Sequence, residues 1–356
     1  MTKITVDRQV RFGGRRLAFI AGPCALKTVF TILVLLPAAA CAFDSRAWFD
    51  KRAAMDREAA RLRAAYADCA ARADAPAENV TLPIESHPDG SIKSTITAKK
   101  AQFFIQSGLV WGADVVVRQF ATNGVVEAEV AAENCVVDRT AKSGWANGRA
   151  RARYRGSEVE GDGIHFSFSE EFVTIYSNTV IRTKEIKFDA KELTGSDALK
   201  SARGGASATN RADAAEIAAT RTDFDRTAGV VLFEGGVRAA DARYELGADR
   251  IFLFLDGTNS LRRVVADGSV TIRDGIRSGA CARASYVKPV GRVDMYGDGA
   301  STRARLVEDG ARRNEIEGKK ITFWVDSDQI EIVGSALTID GGLAGGQDVL
   351  LGGLAE

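Results

Sequence analysis

The stretch DRTAGVVLFEGGV (225–237) is followed by YELGADRIFLFL (244–255) and VVADGSVTIRD (264–274). Each is a short run rich in Val, Ile, Leu and Phe, and each is punctuated by Gly or Asp. Val231, Phe233 and Val237 share one face of an extended chain, as do Ile251, Leu253 and Leu255, whereas Glu234, Arg238, Arg250 and Asp256 fall on or near the other. Period-two alternation of this kind predicts strands with one apolar and one wet side. The same grammar continues through ARASYVKPVGRVDMYGDGAS (282–301) and NEIEGKKITFWVDSDQIEIVG (314–334).

Working toward the N-terminus, the texture holds as far as Val80. Val115-Val116-Val117, Ile164-His165-Phe166-Ser167-Phe168 and Val173-Thr174-Ile175 are further strand candidates, separated by turn signals at short, regular spacing. No helical pattern is interleaved, which excludes a doubly wound α/β fold and leaves a β-sandwich, barrel or jelly roll. SARGGASATN (201–210) breaks the composition and reads as a flexible linker over 201–212, between β segments at 79–200 and 213–341. Residues 45–74 lack Gly and Pro and are rich in Ala and Arg, so a helix is expected within 43–78. Its apolar residues, Trp48, Met55, Leu62 and Cys69 with Ala59, Tyr66 and Ala73, form one narrow stripe suited to docking on the following domain.

The first 42 residues read as an address. Lys3, Arg8, Arg11, Arg15, Arg16 and Lys27 precede the apolar run Thr28–Leu36, and Ala40-Cys41-Ala42 supplies a small-residue exit. That is the pattern of a secretory signal peptide over 1–42, with a retained anchor or an acylated Cys41 as alternatives. Export implies an oxidising compartment, yet Cys69, Cys135 and Cys281 are an odd, widely spaced set, better read as buried small hydrophobes than as a disulfide framework. The 342–356 tail is Gly-rich and has no firm assignment.

Charge and composition exclude several functions. With 48 Lys+Arg against 47 Asp+Glu there is no cationic excess for a nucleic-acid backbone. The 2 histidines offer little to a metal site or a catalytic triad. His87, before Pro88-Asp89-Gly90, reads as a turn residue, and His165 as a polar-face strand residue. The Arg149/Arg151/Arg153/Arg155 and Arg303/Arg305 sets read as solvated faces. The acidic pairs Asp223/Asp225 and Asp326/Asp328 could serve a carbohydrate-active β-helix enzyme, but i, i+2 acids beside a turn read better as solvated turn residues. An exported scaffold or adhesion protein is another reading left open.

Several phrases carry a family resemblance. They are the F-x-G-x-V turn at Phe233–Val237, the strand opening Ala248-Asp249-Arg250-Ile251, the Tyr286…Gly291-Arg292-Val293…Tyr296-Gly297 step, and N-x-I-x-G-x-x-I-x-F at Asn314–Phe323. Over 213–340 the chain resembles the OstA/LptA-like β-jelly rolls of the lipopolysaccharide transport bridge. More loosely, GSIKSTITAKKAQFF (90–104), GADVVV (112–117), EAEVAAENCVVD (127–138) and GSEVEGDGIHFSF (156–168) resemble the related LptC-type fold.

The resemblance implies an all-β chain of two tandem antiparallel jelly rolls, with no cofactor and no enzymatic activity. It implies a periplasmic conduit for lipopolysaccharide or a related glycolipid, membrane-associated through its partners and joined to other Lpt-type jelly rolls by edge strands. Val231, Phe233, Val237, Leu246, Ile251, Leu253, Ile272, Val293, Ile316, Ile321 and Phe323 are then the candidate groove wall. A closed sandwich core would use the same positions.

Overall fold

The computed structural model describes residues 11–12, 15–19, 43–154, 157–183, 215–241, 244–256, 261–275, 277–299, 302–309, 313–324, 329–334 and 336–339. Most of the expected signal peptide, the linker at 201–212, the tail, Arg155, Asp326 and Asp328 lie outside the described residues. The described chain is almost entirely antiparallel β, with one α-helix. A short hairpin of β1 (Arg11–Phe12) and β2 (Arg15–Phe19) precedes α1 (Ser45–Ala71). Seven long strands follow: β3 (Ala77–Ser86), β4 (Ile92–Phe104), β5 (Leu109–Phe120), β6 (Val126–Asp138), β7 (Ser143–Tyr154), β8 (Ser157–Ser167) and β9 (Phe172–Thr183). Next come β10 (Ala215–Ala219), β11 (Arg221–Asp225), β12 (Val230–Ala240), β13 (Tyr244–Leu255), β14 (Leu261–Asp274) and β15 (Arg277–Val287). The chain closes with β16 (Arg292–Tyr296), β17 (Ala304–Asp309), β18 (Arg313–Gly318), β19 (Lys320–Trp324), β20 (Gln329–Val333) and β21 (Ala336–Ile339).

All 21 described strands belong to one hydrogen-bonded sheet. The long strands each serve two walls of it. Phe172–Ile175 of β9 pairs with β11, while Thr179–Thr183 pairs with β10. β12 divides in the same way, Val230–Glu234 to β11 and Arg238–Ala240 to β10. β15 gives Arg283–Val287 to β16 and Arg277–Ala280 to β17. The β9–β10–β12 and β9–β11–β12 steps thus join the N-terminal and C-terminal halves strand to strand.

Register shifts mark where the strands bend. They fall at Ala132/Asn134, Ala146/Arg149 and Glu160/Asp162 in the first half, and at Glu234/Val237, Gly247/Arg250 and Asp267/Val270 in the second. The F-x-G-x-V phrase is therefore a bulge inside β12, not a turn between strands. Gly235 and Gly236, at φ 83° and 59°, absorb the extra residue, and Thr220 hydrogen-bonds the Gly235 carbonyl through both its N–H and its hydroxyl. A left-handed glycine serves a bulge as readily as a turn.

Helix α1 crosses the outer face of one wall, over the junction. It starts at the N-cap Asp44, whose carboxylate accepts the Ala47 N–H at 3.1 Å. Beneath it runs the cross-strand row Trp111–Val136–Trp145–His165–Thr174–Asp223–Leu232–Phe252. Eight strands at ~4.8 Å spacing span about 34 Å, and 27 helical residues are about 40 Å long, so one helix reaches across them. Trp48 packs with Phe172, Val230 and Leu232 at one end, and Leu62 and Cys69 pack with Leu109, Val136 and Trp145 at the other. Sequence alternation makes this outer side wet. The structure shows Val230 and Leu232 fully buried there, because the helix supplies a second apolar face.

The ionic contacts under α1 revise three more readings. Asp223 and Asp225 are not solvated turn residues but buried members of β11. Asp223 meets Arg52 and Arg221 at 2.8 Å each and accepts the Thr174 hydroxyl at 2.8 Å, while Asp225 meets Lys51 at 3.2 Å. His165 does lie on the outer, polar face beside Thr174, but it is wholly buried there, and neither ring nitrogen has a hydrogen-bond partner among the described residues. Burial lowers its pKa to about 4. His87 does sit in the Ser86–Ile92 turn, where its Nε2 lies 3.0 Å from the Phe120 carbonyl.

Candidate functional site

Between the two walls lies the apolar interior, and its register is continuous from end to end. On one wall the row reads Leu82–Ile96–Val117–Val130–Ala152–Val159–Ile181–Ile217–Ala239–Leu246–Ile272–Gly279–Leu306–Ile316–Leu337. On the facing wall it reads Phe103–Val110–Val137–Gly144–Phe166–Val173–Phe224–Val231–Leu253–Val264–Tyr286–Val293–Phe323–Ile330. Apart from the Tyr286 hydroxyl, every side chain in both rows is apolar or absent. Cross-strand neighbours ~5 Å apart make each row a continuous apolar track.

The structure places all eleven candidate groove residues in this interior, in one cluster with contributions from both walls. Val231, Phe233, Val237, Ile251, Leu253, Val293, Ile316 and Ile321 are buried, and Leu246, Ile272 and Phe323 pack against them partly buried. A third row, Phe233–Ile251–Ala266–Ala284–Met295–Ile321–Ile332, fills the space between them. In this half the two walls meet.

In the N-terminal half they meet as well, Ile96 and Val117 of one wall clustering with Val110, Val137 and Phe166 of the other. A small apolar pocket of about 20 Å³ remains between them, lined by Val80, Leu82, Ile84, Ile96, Ala98, Ala101, Val110, Gly112, Val115, Cys135, Val137 and Arg139. Val80, Leu82 and Ile84 come from β3 and are only partly covered. Glycines let neighbouring side chains pack closely here: a Cβ on Gly112 would sit 2.9 Å from Val115, and one on Gly144 would strike the Phe166 ring. The Cys135 thiol is pushed up to about 12 by burial, so it behaves as wall and not as nucleophile. Sequence reasoning missed this cleft. Its signal was the alternation of Val80, Leu82 and Ile84, which identifies a strand but does not distinguish a covered strand from an open one.

The outer face adds electrostatics but no chemistry. Burial works against the charge on Asp56, yet hydrogen bonds from Arg221 at 2.8 Å and Tyr176 at 2.7 Å outweigh it and hold its carboxyl below the usual range. Tyr176 is raised, by burial first and then by that bond. These groups tie α1 to β9 and β11. Among the described residues there is no cluster of three or more His, Cys, Asp or Glu that could hold a metal ion.

The described chain is thus an antiparallel, jelly-roll-like sheet folded into two walls around an apolar interior. Residues 216–329 match the family described as LptA/(LptD N-terminal domain) LPS transport protein. The chain thus carries an OstA/LptA-like domain in its C-terminal half, within an all-β fold. Among solved structures, the chain is similar to LptH of Pseudomonas aeruginosa, described as the LptA-homologous periplasmic component of the lipopolysaccharide transport device. The identity is 15%, the match covers 36% of this chain and 95% of that one, and the TM-score is 0.31. No curated protein matches the chain.

Proposed function

We propose that this protein is a non-enzymatic component of lipopolysaccharide transport, working in the periplasm after removal of residues 1–42. It carries acyl chains along the interior of its sheet and passes them between membrane-bound partners. One observation supports this above the others: two facing apolar rows run without interruption from β4 and β5 to β18 and β20. Each CH₂ taken from water into such an interior contributes about 0.8 kcal/mol, so a multi-chain lipid gains a large gross stabilisation, reduced by the cost of ordering it.

The sheet supplies an edge for assembly as well. β3 is hydrogen-bonded to β4 alone among the described strands, so its other side can accept a strand from a second jelly roll. β20, at the far end, pairs in parallel with β2, which belongs to the segment 1–42, so removal of that segment frees a second edge.

The test is mass spectrometry of organic-solvent extracts from the protein purified from cell envelopes, beside a folded Leu82→Asp variant. The expected result is lipopolysaccharide or a related glycolipid on the wild type and its loss from the variant. Protein that stays lipid-free, even after glycolipid is added, would overturn the proposal.

A further inference from the structure

The pocket of the N-terminal half is apolar inside and cationic at one rim. Arg139 lies on that rim, exposed and with no ion pair among the described residues. Three residues on, Lys142 closes the β6–β7 hairpin at φ 52°, a left-handed position where Gly or Asn is favoured and a lysine is costly. Its ammonium reaches across to Glu85 of the opposite wall at 3.4 Å, and Lys93 meets the same carboxylate at 3.1 Å. Glu85 directly follows Ile84, which lines the cleft. Two lysines therefore share one acid at the mouth of an apolar pocket, with the exposed Arg139 beside them. A solvated surface would gain nothing from that surplus, whereas a ligand with an apolar tail and an anionic head would complete it.

Resting on the lipid reading above, we propose that this rim is a headgroup site. The acyl tail of an anionic amphiphile enters between Leu82 and Val137, and its phosphate or carboxylate displaces Glu85 from Lys142 and takes Arg139 as a second donor. Guanidinium and ammonium groups bind such oxygens through charge-assisted hydrogen bonds. The Glu85–Lys142 contact then acts as a clasp, closed when the cleft is empty and exchanged when an anionic head arrives. A neutral head of equal tail length gains the same burial but cannot open the clasp.

Calorimetric titration with dodecyl phosphate and with dodecyl maltoside tests this, because the tails match and the heads differ in charge. The expected result is a preference of about tenfold or more for the phosphate. It should collapse in an Arg139→Gln/Lys142→Gln double variant and widen in Glu85→Gln. Both substituted cations are exposed, so the double variant keeps its fold, and Leu82→Asp should lose both ligands. Equal affinities for the two heads in the wild type, or a preference that survives the double variant, would overturn the headgroup site while sparing the acyl cleft. Inorganic phosphate binding as tightly as dodecyl phosphate would overturn it too, leaving a plain anion site. If neither amphiphile binds, the acyl cleft fails and the headgroup site fails with it.

Discussion

The two halves share one sheet and one pair of apolar rows, yet large side chains fill the interior of one while the other keeps a small pocket beside its edge strand. In the C-terminal half Phe233, Met295, Ile316 and Ile321 are each 0–1% exposed and fill the gap between the walls. In the N-terminal half the equivalent space is bordered by Ala98, Ala101, Gly112 and Cys135, and its outermost strand is the edge strand β3. The family match at 216–329 falls on the half filled by large side chains, and the small pocket lined by β3 to β6 falls on the other. A lipid entering either half has to part residues already in contact, but in the N-terminal half the partly covered edge strand β3 yields more easily.

The sharpest way to break this contrast is to truncate one large side chain in each half. Phe233→Ala should cost about 3–5 kcal/mol in denaturant unfolding, since the vacated space stays enclosed. Leu82→Ala, on a partly covered edge strand, should cost about 1 kcal/mol. Equal costs would mean that the N-terminal interior is as tightly closed as the other, and the contrast would be lost.

The junction between the halves comes next. Asp223→Ala removes the buried acid that Arg52, Arg221 and Thr174 share under α1, leaving Arg52 to Glu234 and Arg221 to Asp56. A loss of about 3 kcal/mol is expected, as when one partner of a buried pair is deleted. The unfolding of both halves should remain one transition if the shared sheet alone joins them, and should split in two if the helix is needed as well.

Acid should loosen the same seam. His165 titrates near 4 in the fold, against 6.5 for the free side chain, chiefly because it is buried. Between those values the unfolded chain binds the proton and the folded chain does not, so stability falls as pH drops from 6.5 toward 4. The expected loss is about 3 kcal/mol at most, read as a shift in denaturant midpoint between pH 7.5 and 4.5. His165→Leu should flatten that window. Asp56 and Glu58 are held below their usual values of 3.8 and 4.5, so their contributions disappear only at lower pH.

Most of the strands could be read from alternation alone, because a pleated chain with one buried face imposes period two on residues such as Val231, Phe233, Ile251 and Leu253. The bends could not. Gly235 and Gly236 carry the same left-handed signal whether they end a strand or bulge it, and only the partners on β11 and β13 tell the two apart. The buried acids were hidden for a related reason: Asp223 and Asp225 acquire their meaning from Lys51 and Arg52, about 170 residues away. In VVLF (230–233) two apolar faces are visible in hindsight as an unbroken run, the mark of a strand covered on both sides. Core and groove look identical in sequence because both call for the same side chains; whether the opposite wall touches them is a three-dimensional fact.

The smallest effect separates the helix from the cleft. Asp44 caps α1 by accepting the Ala47 N–H, and it holds the first turn where Trp48 meets Phe172 and Phe252 of the sheet. Asp44→Ala should cost about 1 kcal/mol, the usual value for a lost N-cap. Hydrogen exchange should rise over the first turn of the helix and at its docking strands β12 and β13. The cleft is lined by β3 through β6, on the inner side of the sheet, and shares no residue with this contact. Amphiphile affinity in Asp44→Ala should therefore match the wild type. If it falls, α1 transmits strain through the wall to the cleft, and the two halves are coupled by the strap as well as by the sheet.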